Sequence, residues 1–197
     1  MQTFAPNGLQ MVSDITGHHN NAQRVYEVPN GASCPALHRG APVKFSGGVV
    51  TSVGAAGNAP ILGVFNGAAW IDSGSSRQPV ISGFLPAGTS SAGNFEGLGT
   101  RPQVYIIDNP DTTFYIQANA SVSAGDMGLN FNVTTLGESD AFRQSRYALQ
   151  ASSRTSAVTG AFRIVGLARL PGNAWDNPFP VVEVKINQSI LSLTSAS

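Results

Sequence analysis

Between Val182 and Asn187 the chain reads VEVKIN, and apolar and polar residues alternate without a fault. Val182, Val184 and Ile186 point one way, and Glu183, Lys185 and Asn187 point the other. A repeat of two is the repeat of a half-buried β-strand, and it puts no continuous stripe on a helix. Weaker versions of the same alternation recur along the chain, and no segment shows the long 3.6-residue periodicity of the helices in a βαβ fold.

Taken in order, AQRVYEVP reads as a strand with Val25 and Glu27 on one side and Tyr26 and Val28 on the other. APVKFSGGVVT reads as a strand interrupted at Gly47 and Gly48 by a bulge or a close backbone approach. PILGVFNGAAWI reads as two short strands around a tight turn at Asn66 and Gly67. After a brief strand over residues 79–84, a long loop is expected at about residues 85–102. QVYIID and TTFYIQA, rich in β-branched and aromatic residues, are the most convincing strands. LNFNVTT turns Leu129, Phe131 and Val133 to one face and Asn130, Asn132 and Thr134 to the other. ESDAFRQSRYALQ allows a helical turn or two in its first half, with Phe142 and Tyr147 inward, and a strand in its second. GAFRIVGLARL supplies one more strand before the alternating segment.

The 22 glycines and 12 prolines supply the many turns that such a chain needs. The expected fold is therefore all-β, an antiparallel β-barrel or sandwich of about ten short strands with an extended N-terminal arm and long loops. Residues 1–21 form the arm, 22–191 a single domain and 192–197 a flexible tail. No internal repeat is evident.

Charged residues make up only 11% of the chain, and the 11 basic and 11 acidic side chains cancel. Surfaces that face water on every side normally carry more charge than this. The start of the chain lacks a basic n-region and a continuous apolar core, so no signal peptide is expected, and no apolar run is long enough to span a bilayer.

Chemistry-bearing patterns are sparse. Asp108 and Asp111 flank Asn109 and Pro110 between the two best strands. The pair lacks the dense oxygen spacing of a calcium loop, and nothing singles it out as a glycosidase acid and base. Turn chemistry is the better reading: a side-chain oxygen of Asp108 accepts from amides two or three residues on, and Pro110 fixes φ. His18, His19 and His38 lack the companions of a zinc site and read as surface or contact histidines. Cys34 is single, so no intrachain disulfide forms, and no nucleophile motif surrounds it. The glycines form no phosphate loop. No catalytic residue, cofactor or metal is therefore expected.

Arginine accounts for nine of the 11 basic residues, and Arg143, Arg146 and Arg163 belong to a stretch with few acids. With zero net charge and no interleaved aromatics, protein contact is the better reading than nucleic acid. The interface candidates are His18 and His19 of the arm, Arg143, Arg146, Arg163, residues 88–100, and Trp175 and Phe179 within LPGNAWDNPF.

The stretches VYIIDNPDTTFYIQA, AGDMGLNFNV, ESDAFRQSRYALQASS and FRIVGLARLPGNAWDNPFPVVEVKINQSIL resemble a family of tailed-bacteriophage capsid decoration (head-stabilising, cement) proteins. The positions that carry the resemblance are Asp108 to Asp111, Phe114, Gly128 to Asn130, Ser152 and Ser153, Arg163 to Leu167, and Val184 to Asn187. It is strongest over residues 102–191. It implies a virion structural protein on the outer surface of an icosahedral capsid, bridging capsomers of the major capsid protein, commonly as a trimer, without enzymatic activity, nucleic acid or membrane. Two rival expectations stand beside it. One is a tail-associated or carbohydrate-binding β module using Trp70, Tyr105, Tyr115, Trp175 and Phe179; the other is a small enzyme, for which a bound metal would be the first sign.

Overall fold

In a computed structural model of the chain, the described residues are 3–13, 23–54, 60–74, 77–93, 100–137 and 143–191. They form the strands β1 (Gln10–Ser13), β2 (Gln23–Glu27), β3 (Leu37–His38), β4 (Pro42–Ser46), β5 (Val49–Ser52), β6 (Gly63–Ile71), β7 (Pro79–Ser82), β8 (Phe84–Leu85), β9 (Gln103–Ile107), β10 (Thr113–Gln117), β11 (Asn130–Phe131), β12 (Val133–Thr135), β13 (Tyr147–Leu149), β14 (Phe162–Leu167) and β15 (Val181–Ile186). Among these residues the only helices are three single 3-10 turns.

β15 sits at the centre of a five-stranded antiparallel sheet ordered β1-β10-β15-β14-β11. Its neighbours share its alternation, so Phe114 and Ile116 of β10 and Phe162 and Ile164 of β14 join Val182, Val184 and Ile186 on the inner face. Phe131, Val133, Tyr147 and Leu149 extend that core from β11, β12 and β13. Truncating a fully buried ring such as Phe114 in a core of this kind costs about 3–5 kcal/mol.

The second sheet is built on β6. β2-β9 lie along one edge, while β4 and β7 share the other, and β5 lies beyond β4. One face of this sheet closes a smaller core of Val28, Leu37, Val43, Leu62, Phe65, Leu85, Val104 and Ile106. Its opposite face contributes Val64 and Ile107 to the larger core, so the two sheets meet at that end. The sheets are sandwich-like, and neither closes into a barrel. The terminal strands β2 and β5 of the second sheet share no ladder, although Tyr26 of β2 meets Phe45 beside β5 edge to face at 5.7 Å.

Several elements depart from the sequence reading for identifiable reasons. Gly47 and Gly48 take φ values of 58° and 80°, and Ser46 pairs with Val49. The two glycines are therefore the turn of a β4–β5 hairpin, not a bulge within one strand. Asn66 and Gly67 make no turn; they lie within the nine-residue β6, where the register against β9 shifts between Phe65 and Gly67. A Cβ on Gly67 would stand 3.1 Å from the Ser82 carbonyl, a tight contact, so the close approach of β7 favours glycine there. LNFNVTT divides into β11 and β12, which join different sheets, and Asn130 is buried at 1% exposure, its Nδ2 donating to the Ala157 carbonyl and its Oδ1 accepting from Arg163 Nε.

Residues 3–13 of the expected arm do not stand away from the body. Leu9 is buried, its N–H bonds the Gly40 carbonyl at 2.9 Å, and β1 pairs with β10.

Candidate interaction surface

The acidic corner is the first place to look for chemistry. β9 belongs to the second sheet and β10 to the first, so residues 108–112 carry the chain between sheets and close no hairpin. Asn109 makes the turn: its carbonyl accepts from Thr112 N–H at 3.1 Å, and its Oδ1 accepts from Asp111 N–H at 3.0 Å. Asp108 is buried, and its Oδ2 accepts the Tyr26 hydroxyl at 2.8 Å, with Arg24 Nε 3.4 Å from the same oxygen. The expectation that Asp108 caps nearby amides is thus corrected, since a tyrosine from β2 supplies its partner. Burial pushes the Tyr26 phenol up, donation to the Asp108 carboxylate pushes it further, and the Arg24 guanidinium offsets part of the rise. Asp111 lies on the outside, 3.6 Å from Lys185 Nζ.

A second buried carboxylate, Asp126, is also structural. Its Oδ2 accepts from Ser123 N–H at 2.8 Å and from Ser123 Oγ at 3.2 Å, and Arg154 Nη1 donates to Oδ1 at 2.7 Å. Burial alone would raise this carboxyl; the Ser123 amide and the Arg154 guanidinium outweigh it and hold the group below the ordinary carboxylate range. Among the described residues no three of His, Cys, Asp and Glu gather as metal ligands. No helix of the described structure is long and apolar enough to cross a membrane.

His38, expected at the surface, is buried at 1% exposure, its ring 4.7 Å from that of Phe84. The short β3–β8 ladder pulls it in. Burial pushes the Cys34 thiol up, so it rests protonated in the smaller core.

The other candidates do not gather into one patch. His18 and His19 lie outside the described residues. Arg143 is exposed with φ 52°, and Arg146 is half-buried, its carbonyl accepting from Leu136 N–H. Arg163 is exposed on the outer face of the first sheet, where its Nε donates to Asn130 Oδ1 at 3.0 Å. Trp175 packs half-buried against the larger core. Phe179 meets the ring of Phe4 at 5.0 Å, and Gln117 ties the two segments by donating to the carbonyls of Thr3 and Phe179. Of the long loop, residues 94–99 lie outside the described set. Ser91 at its start is fixed by Asn30, whose Oδ1 accepts from Ser91 N–H at 2.6 Å and whose Nδ2 donates to its carbonyl at 3.1 Å.

The aromatics named for a sugar platform are dispersed. Tyr105 is on the second sheet and Tyr115 on the first, while Trp70 and Trp175 pack against different cores.

Two surface features escaped the sequence reading. On the second sheet, Val25, Tyr105 and Gly67 are register partners, as are Ala69 and Ile81 in the adjoining row of the same face. Val25 is 45% exposed and Ile81 75% exposed, and between Ile81 and Tyr105 lies a hollow that Gly67 leaves open. Next to it, across Arg39 and Asn66, a cleft of about 400 Å3 runs between β1 and β6, lined by Asn7, Gln10, Met11, Arg39, Asn66 and Gln144 over a floor that includes Leu9, Val64 and Phe65. Arg39 Nε donates to Asn66 Oδ1 at 3.1 Å, which fixes the guanidinium at the boundary of the two.

Comparison with protein-family models, curated protein sequences and solved structures finds no significant match.

Proposed function

We propose that this chain is a virion structural protein, a decoration protein that binds the outer surface of an icosahedral bacteriophage capsid and bridges its capsomers. The observation that carries the reading is the open face of the second sheet. There Val25 and Ile81 present apolar side chains to water on a strand surface, flanking Tyr105 and the hollow over Gly67. A large apolar side chain at 75% exposure is the sort of group that an assembly covers. The sequence resemblance over residues 102–191 supplies the kind of assembly. The low charge supports it too, because a protein fixed in a shell has less need of charge to stay dispersed.

In this reading the major capsid protein is the partner and self-association into a trimer places three such faces around a capsomer junction. Binding that exists only on the mature shell stabilises that state by mass action. The protein then works by contact alone, with no reaction and no cofactor. Electron cryo-microscopy of intact particles tests this directly: density for the chain on the outer shell at symmetry-related sites is the expected result, and finding it only inside the shell or on the tail overturns the proposal.

A further inference from the structure

We infer that the cleft between β1 and β6 is a binding site for a small hydroxyl-rich carboxylate, of the kind that an acidic sugar residue presents. Separate stretches of the chain bring its polar lining together: Asn7 just before β1 and Gln10 within it, Arg39 after β3, Asn66 in β6, and Gln144 before β13. Their backbones meet closely. A Cβ on Gly8 would stand 2.7 Å from the Gly40 carbonyl oxygen, and one on Gly40 would stand 2.9 Å from the Leu9 carbonyl oxygen. Leu9 N–H bonds the Gly40 carbonyl, Gly40 N–H bonds the Phe65 carbonyl at 2.8 Å, and Ser145 N–H bonds the Arg39 carbonyl at 3.1 Å. The side chains therefore project from a fixed junction, and a site already in place loses less order on binding.

What a ligand can reach there is mostly polar. Leu9, Val64 and Phe65 are buried in the floor, whereas Asn7, Gln10, Arg39 and Gln144 are exposed and Asn66 is half-buried. Among the described residues Arg39 is the one charged member of the lining, and no acid lines the cleft with it. Asn66 and Gln144 both stand beside it: Asn66 Oδ1 accepts from Arg39 Nε at 3.1 Å, and Gln144 is the partner of Arg39 in an isolated parallel bridge. With Nε committed, the terminal nitrogens of the guanidinium remain to take a carboxylate. Each carboxamide around it offers both a donor and an acceptor, which is what a hydroxyl group needs. One cation without an acid matches a single negative charge, and the carboxamides match hydroxyls next to it. The volume of about 400 Å3 lies within the range of small-molecule sites, about 300–1,000 Å3. Such a site depends on none of the dispersed aromatic rings.

This inference stands on the cleft alone, independently of the decoration reading, so either can fail without the other. The test uses the full chain, isotope-labelled, and follows its NMR chemical shifts during titration with methyl β-D-glucuronoside, methyl β-D-glucoside or acetate. The glucuronoside should saturate with a Kd of about 1 mM and bind about tenfold more tightly than either other probe, since only it engages the guanidinium and the carboxamides together. Arg39→Ala removes the preference for the acid over the neutral glycoside. Gln144→Ala, a change to an exposed side chain, weakens both glycosides, leaves acetate unchanged, and serves if the arginine variant fails to fold. No saturation up to about 30 mM glucuronoside, equal affinity for the two glycosides, acetate bound as tightly as the glucuronoside, or an acid preference that survives Arg39→Ala overturns the inference.

Discussion

At Asp108 two long-range contacts converge on one buried oxygen, and neither partner is adjacent in sequence. Replacing Asp108 with Ala leaves the Tyr26 hydroxyl without its acceptor and Arg24 without its anion, and should cost about 1–3 kcal/mol of unfolding free energy. Urea denaturation checks this, and a Tyr26→Phe partner variant should show a non-additive double change. The corner was legible as a turn from Asn109-Pro110 alone, whereas the role of Asp108 was not. A local reading assigns a carboxylate to nearby amides, but Tyr26 lies 82 residues away. Asp126 carries the second prediction at this scale. Its folded pKa is lowered below the unfolded value, so its contribution is full above the ordinary carboxylate range and fades as pH falls through the lowered folded value. Stability measured across that acid window should fall less steeply in Asp126→Asn, which is also less stable at neutral pH, and Arg154→Ala should flatten the same slope in part. A wild-type slope unchanged in both variants would exclude Asp126 as its source.

Among elements, alternation was reliable and glycine was ambiguous. β15 and β14 were visible because a strand with one buried face writes a two-residue repeat, whereas β9, buried on both faces, and β10 showed through their β-branched and aromatic residues. The two glycine sites were exchanged: the expected bulge at Gly47 and Gly48 is a hairpin turn, and the expected turn at Gly67 is a close approach within one long strand. A glycine signals that a side chain is disallowed, and only the third dimension tells whether φ or a neighbour disallows it. The hairpin separates these causes. Nothing lies within 4 Å of a Cβ built on Gly48, so Gly48→Ala strains the backbone alone. The expected loss is about 1–2 kcal/mol from the left-handed φ, read as a lowered urea midpoint. A replacement such as Asn should recover part of it, because Asn tolerates that region; an alanine variant as stable as the parent would contradict the turn assignment.

For the whole molecule the sequence offered low charge and a β-rich pattern, but not which surface is used. Val25 and Ile81 come from strands more than fifty residues apart, and only the ladder through β9 and β6 brings them to one face. Under the decoration reading that face is covered on the particle, so a charge placed there blocks attachment without harming the fold. Ile81→Asp changes a side chain that is 75% exposed and should leave stability within about 0.5 kcal/mol of the parent. On the shell, the same carboxylate must be desolvated where an isoleucine was buried, and burying that isoleucine is worth about 1.5–3 kcal/mol. Co-sedimentation with particles lacking the protein should therefore show at least about a tenfold loss of occupancy. Apolar contact also sets the response to salt. Attachment through this face should vary little between low and moderate ionic strength, whereas binding through phosphates would weaken steeply. Undiminished attachment of Ile81→Asp would move the contact to another surface, and a steep loss with salt would assign it to charge, with Arg143, Arg146 and Arg163 as the first residues to replace.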